Sequence, residues 1–233
     1  MPVKRSQNKE KNYNLSSSWI INNTSGLFFG FILVSAVGLV YSLVLSMDPA
    51  LKVSGYAVIF AGILQGTILA EWQIKALKSS FPKINAINWI LLTAIASGLV
   101  WFSVIALPVS KIFPTVSQES TRQTFVYTQA AKSLSIGLLF TSTISFLAGL
   151  FLGYIVSFLQ WLELGRHVKT SFAWIFYSSL AWAFGFSSII ILLTKLPYTN
   201  LSTLVLSAIL TFLVSSFIIS MVSLLGVLAL KKK

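Results

Sequence analysis

Residues Ala148–Trp174 read AGLFLGYIVSFLQWLELGRHVKTSFAW. An apolar run reaches Trp161, crosses a short polar turn carrying Glu163, Arg166, His167 and Lys169, and resumes at Phe172. Two apolar runs joined by so few polar residues describe a helical hairpin in a membrane. A looser copy lies upstream at Ala61–Trp89, AGILQGTILAEWQIKALKSSFPKINAINW. Each copy opens on Ala-Gly-Ile/Leu-x-x-Gly. Each brings a Trp and a Glu to the end of its apolar run, Glu71-Trp72 and Trp161-x-Glu163. Each crosses a basic turn and becomes apolar again at a Trp.

Composition agrees with this reading. Of the 233 residues, 56% are hydrophobic and only 9% charged, and mean hydropathy is +0.85. A soluble domain carries about 25% charged residues. There is no cysteine, which excludes structural disulfides, cysteine-ligated zinc and thiol catalysis. The formal net charge of +12 is spread over the ends of apolar runs. That placement suits topology and anionic lipid headgroups, and it argues against nucleic acid.

Hydropathy predicts an all-α bundle of six transmembrane helices at about 26–46, 54–73, 86–107, 133–161, 172–194 and 202–229, each near or above the ~20 residues a span needs. Residues 1–18, with Lys4, Arg5, Lys9 and Lys11, read as a disordered basic tail, residues 19–230 as the membrane domain, and 231–233 as a short basic tail. With the N-terminus in the cytoplasm, 12 of the 17 Lys and Arg residues fall on the inner side. The positive-inside rule then places both termini and the turns 74–85 and 163–171 in the cytoplasm of a cell whose inner membrane holds the protein. Trp19, Trp72, Trp89, Trp161 and Trp174 would lie at the inner interface, where indole rings prefer to sit. The two hairpins are offset by two spans, so they are parallel through the membrane.

Several residues stand out against this background. Gly26/Gly30, Gly62/Gly66 and Gly149/Gly153 form small-residue faces at four-residue spacing. Packing within the chain is the expected use, and an oligomer or partner face is the sharper alternative. If the hairpins act as a unit, the Gly faces of the second and fourth helices should interlock. Gln65 is the most polar residue deep in a span and needs a partner, with Thr67 or a neighbouring Ser expected, or else a substrate. Glu71 and Glu163 each precede a cation by about one turn, Lys75 and Arg166, and can pair along the helix. A carboxylate rim shared between the hairpins is the functional alternative. His167 is the one histidine, expected to be a solvated turn residue and unable to build a multi-histidine metal site.

Enzyme signatures are weak. Ile95-Ala96-Ser97-Gly98 approaches a rhomboid-like G-x-S-G pattern without its first Gly, and H-E-x-x-H, P-loop and dinucleotide fingerprints do not occur. No cofactor is indicated. The pattern formed by Gly149, Gly153, Gln160, Trp161, Arg166 and Trp174 resembles one in uncharacterised small multipass bacterial proteins, cyanobacterial ones among them; it covers about a quarter of the chain and implies no function. The upstream copy departs from it, with Glu71-Trp72 in place of Gln-Trp. Three roles are therefore weighed. The first is assembly or scaffolding of membrane partners, which include the bilayer's anionic headgroups, other membrane proteins or a second copy. The second is a transporter component, since helix count and size resemble the substrate-binding membrane subunits of energy-coupling-factor importers. That reading expects Gln65, Tyr177 and Trp182 in one polar pocket. The third is a membrane hydrolase, which requires a Ser within reach of His167.

Overall fold

The computed structural model describes residues 3–47, 56–106, 127–196 and 201–230. These form six helices: α1 Val3–Met47, α2 Tyr56–Lys78, α3 Ala86–Ala106, α4 Tyr127–His167, α5 Phe172–Lys195 and α6 Leu201–Ala229. No strand occurs among the described residues. Each helix contains a stretch long and apolar enough to cross a membrane. Helices satisfy this need because backbone in hydrocarbon must hydrogen-bond within its own segment. Large apolar side chains such as Ile87, Leu139, Phe172 and Leu206 are correspondingly exposed on the outer surface. The loop at 108–131 lies largely outside the described residues.

Two boundaries differ from the hydropathy reading. The first span runs Leu15–Gly38, about three turns earlier than expected at its start and about two turns earlier at its end. The stretch 3–18 continues α1 as helix instead of leaving it as a tail. Hydropathy penalises Asn22, Asn23 and the serines before them, but Asn23 is buried and fully engaged by other helices, so this polar stretch belongs inside the bundle. Lys, Arg, Gln and Glu are good helix formers, and propagating an existing helix backwards needs no new nucleus. α4 has 41 residues, about 60 Å at 1.5 Å per residue, against a hydrocarbon core of ~30 Å.

Each helix packs on the next around a ring, α3 meets α4 most sparsely, and α1 closes the ring against α6. α2 and α4 are not packed neighbours, which corrects the expectation that their Gly faces interlock. Gly66 lies over the Thr93 carbonyl, Ala94 and Ser97 of α3. Gly153 lies over Ser179 and Trp182 of α5. Each Gly face is thus used inside its own hairpin, because consecutive antiparallel helices on a short turn are already side by side. Gly26 and Gly30 meet α2, at Leu69, Trp72 and Gln65.

The repeat keeps its meaning in a different form. Contacts of Gly66 fall four, five and eight residues after Trp89, and those of Gly153 five and eight residues after Trp174. The pattern also extends to a third helix pair, α6 with α1. Trp19, Trp89 and Trp174 are each followed four residues later by Asn23, Thr93 or Ser178, and twelve residues later by Phe31, Trp101 or Phe186. On the partner helices, Gly66, Gly153 and Ser216 are each followed seven residues later by Gln73, Gln160 or Ser223, and eleven later by Leu77, Leu164 or Val227. We read the ring as three helix pairs, α6–α1, α2–α3 and α4–α5, in equivalent register.

Candidate functional site

The end of the bundle carrying the 79–85 and 168–171 turns is closed by aromatic and polar side chains. Trp19, Trp89 and Trp174 are all fully buried there, not spread along a lipid interface as expected. Trp174 meets Trp19 edge-on at 5.5 Å between ring centroids and lies 6.0 Å from Trp89. Leu77, Ile84, Leu164, Val168 and Val227 fill the space around them. Hydropathy cannot separate an interfacial Trp from one turned into the bundle. For Trp19 and Trp174 the deciding factor is the indole N–H, which finds an acceptor inside.

Those acceptors belong to a hydrogen-bonded chain that touches all six helices. The Trp174 Nε1–H donates to Gln160 Oε1 at 3.1 Å. Indole is a donor only, so this bond fixes which way the Gln160 amide points. Gln160 Nε2 therefore donates, to Gln73 Oε1 at 3.0 Å and to Thr93 Oγ1 at 2.9 Å. Gln73 Nε2 donates in turn to Asn23 Oδ1 at 2.8 Å. Asn23 Nδ2 reaches Ser220 Oγ at 3.0 Å, and Trp19 Nε1 donates to Ser223 Oγ at 3.1 Å. In two of the three helix pairs the indole donates to the residue seven after the small residue. The corresponding acceptor for Trp89 is Gln73, whose Oε1 is taken by Gln160. Trp89 Nε1 has no hydrogen-bond partner among the described residues.

Beside this layer, Glu163 is buried and accepts from the Asn85 backbone N–H at 2.8 Å and from Asn88 Nδ2 at 3.2 Å. Asn85 caps α3, its Oδ1 accepting from the Ile87 and Asn88 backbone N–H groups. A carboxylate here meets the positive end of the α3 dipole. Arg166 and His167 reach Glu163 at 3.5 and 3.2 Å, so His167 is half-buried against a carboxylate and is not simply solvated. No described Ser hydroxyl bonds to His167. Glu71 is exposed and makes no ion pair among the described residues, while Lys75 lies over the Trp72 ring at 4.6 Å. The shared carboxylate rim does not form: Glu163 turns inward and Glu71 outward. Among the described residues no group of three His, Asp or Glu could hold a metal ion.

The far half of the bundle is open inside. About 18 Å along the helices from the Trp layer, at twelve residues of 1.5 Å rise, Phe31, Trp101 and Phe186 line two adjoining cavities in common and so form a collar between them. On the far side of this collar lies an apolar chamber of about 430 Å³. Its further walls include Val34, Ala148, Phe151, Ile189 and Phe212. Ser35, Ser103 and Ser145 also border it, and the last two each donate their hydroxyl to a carbonyl of their own helix. No charged side chain lines it among the described residues. On the other side of the collar is a narrow recess of about 20 Å³, which shares Phe31, Trp101, Leu152 and Phe186 with the chamber.

Gln65 lines the recess, with Ser97 and Trp182. Its partner is Trp101, whose Nε1–H donates to Gln65 Oε1 at 2.8 Å; Thr67, the expected companion, donates to its own helix at Ile63 instead. Gln65 and Trp182 thus share a pocket, but it is apolar, and Tyr177 is not part of it. The sequence reading missed Asn23, Gln73 and Trp101. Aligning the hairpins on Gly66 and Gly153, in place of Trp72 and Trp161, pairs Gln73 with Gln160 and would have found the two central amides. No family model, no curated protein and no solved structure matches the chain.

Proposed function

We propose that this multi-pass protein binds an apolar small molecule inside the membrane, in the chamber beyond the Phe31–Trp101–Phe186 collar. The observation that carries this reading is the chamber itself. Its volume of about 430 Å³ falls in the ~300–1,000 Å³ range of small-molecule pockets, and its walls are mainly aliphatic and aromatic, with three serines. The turn end is sealed by buried side chains hydrogen-bonded across every helix, which favours holding a ligand over conducting it. The reading belongs with the substrate-binding membrane subunit weighed above. All three Gly-x-x-x-Gly pairs pack within the chain, so an assembly role would use other surfaces.

The proposed setting is the cell inner membrane, with both termini and both turns cytoplasmic. Lys75, Lys78, Lys83, Arg166 and Lys169 are exposed at the turn end and are placed to meet anionic headgroups. The test of function is extraction of the purified protein with organic solvent, followed by mass spectrometry. One near-stoichiometric apolar species is expected from the native chain and not from Ala148→Trp, which fills the chamber. Bulk phospholipid alone in both samples would overturn the proposal.

A further inference from the structure

We infer that the chamber's ligand presents a hydrogen-bond-accepting carbonyl (a ketone, quinone or ester oxygen) to Gln65 and Ser97, with the rest of the molecule apolar. This deepens the binding reading above and rests on it. The polarity of the recess follows from Trp101. Because indole only donates, its 2.8 Å bond requires Gln65 Oε1 on the Trp101 side and leaves Nε2 free to donate elsewhere, on a side chain that lines the recess. Gln65 is only 3% exposed, yet its Nε2 makes no hydrogen bond to any described residue. Ser97 borders the same recess, and its hydroxyl likewise makes no hydrogen bond among the described residues. A buried amide N–H left unpaired costs about 1–3 kcal/mol, so two such donors lining an apolar recess select for an acceptor.

Size and charge narrow the class. The recess of about 20 Å³ exceeds the ~10–15 Å³ that one water-sized group requires, so it takes an oxygen atom but not a branched headgroup. Val100, Leu152 and Val156 form its other walls, and no cation lines it among the described residues. A carboxylate or phosphate would be desolvated there without a counter-charge. A carbonyl oxygen has two lone pairs for the two donors and brings no charge. Its apolar remainder would pass the aromatic collar into the chamber.

The test uses a matched pair, 2-tridecanone and tridecane, competing with 1-bromododecane, whose bromine quenches tryptophan fluorescence. The full-length protein is expected to bind the ketone about 10-fold more tightly than the alkane, as one hydrogen bond retained in an apolar site implies. Gln65→Leu should reduce that ratio to near one, and Ser97→Ala should lower it partway. The infrared carbonyl band of the bound ketone should lie below its position in alkane solvent. This second measurement decides the matter on the native chain even if Gln65→Leu does not fold. Equal binding of ketone and alkane with an unshifted band overturns the inference, leaves the binding reading intact and assigns the recess to water. If neither probe displaces the quencher, and the quencher itself does not bind, the binding reading fails first.

Discussion

Gln160 donates an amide N–H to Gln73 Oε1 at 3.0 Å, joining α4 to α2 across the inside of a ring in which those helices are not packed neighbours. The two glutamines occupy the same position in their hairpins, each seven residues after the second glycine. Equivalent residues therefore meet near the middle of the bundle. The bond also sets the direction of the chain of donors from Trp174 to Ser220.

Gln160→Leu should be among the most damaging single changes outside the glycines. It leaves the Trp174 indole N–H without its acceptor and Gln73 Oε1 without its donor. A loss of about 2 kcal/mol or more is expected, above the ~0.6 kcal/mol average for hydrogen bonds within membranes, because several groups are orphaned together. Thermal unfolding in mild detergent measures it. The Gln73→Leu/Gln160→Leu pair should cost clearly less than the sum of the single changes. Additive losses would show that the glutamines act independently.

The three buried tryptophans should respond unequally to Phe. Trp19→Phe and Trp174→Phe each remove a donor and strand its acceptor, whereas Trp89→Phe removes an N–H that already lacks a partner. With similar volume lost at all three sites, Trp89→Phe should be milder by about 1 kcal/mol. Denaturation of the three variants side by side tests the ranking. Equal destabilisation would mean that the Trp89 N–H is satisfied after all.

Glycine substitutions should sort by what a new side chain meets. At Gly66 a Cβ would lie 2.7 Å from the Thr93 carbonyl oxygen, and at Gly153 it would lie 2.9 Å from the Ser179 Cα. Backbone cannot move aside as a side chain tip can, so Leu at either position should prevent stable folding. At Gly98 a Cβ would meet only the Ile63 side chain, at 2.8 and 3.4 Å, so Gly98→Ala should cost far less. Yield of monodisperse protein on size-exclusion chromatography reads the difference, and a well-folded Gly153→Leu would refute the close packing of α4 on α5.

Around Glu163 the buried and exposed partners should separate. Glu163→Leu removes the acceptor for the α3 N-terminus and for Asn88, an expected loss of about 3 kcal/mol. Arg166, with 66% of its side chain exposed, should contribute under ~1 kcal/mol, so Arg166→Ala should be mild. Chemical denaturation of both variants checks the order; a larger loss for Arg166→Ala would move the anchoring role from the helix terminus to the ion pair.

Sidedness is testable with single cysteines in this cysteine-free chain. Cysteines at Ser79 and Lys169, both exposed in the turns, should be protected from a membrane-impermeant maleimide in intact cells. One at Ser117 should react. Labelling at Ser79 or Lys169 without permeabilisation would invert the orientation.

Fold class was legible in the sequence because lipid leaves the backbone so few options. Long apolar runs with polar turns can only be helices, and each of the six spans overlaps its hydropathy position. The glycine pairs were visible too, since four-residue spacing defines a helix face without reference to neighbours. What the sequence did not determine is which face meets which helix, and that decided the site. Asn23 and the serines before it look too polar for a span until Gln73, Ser220 and Ser223 arrive from helices far away in the chain. Trp19, Trp89 and Trp174 look interfacial until the ring turns them inward. Trp101 carries no sign that it will hold Gln65 and set the polarity of the recess. Helix formation depends on local backbone hydrogen bonding and transfer to lipid, which each residue brings with it. Satisfaction of a buried amide or indole depends on a second residue brought within about 3 Å by packing, and only the closed ring of six helices supplies that partner.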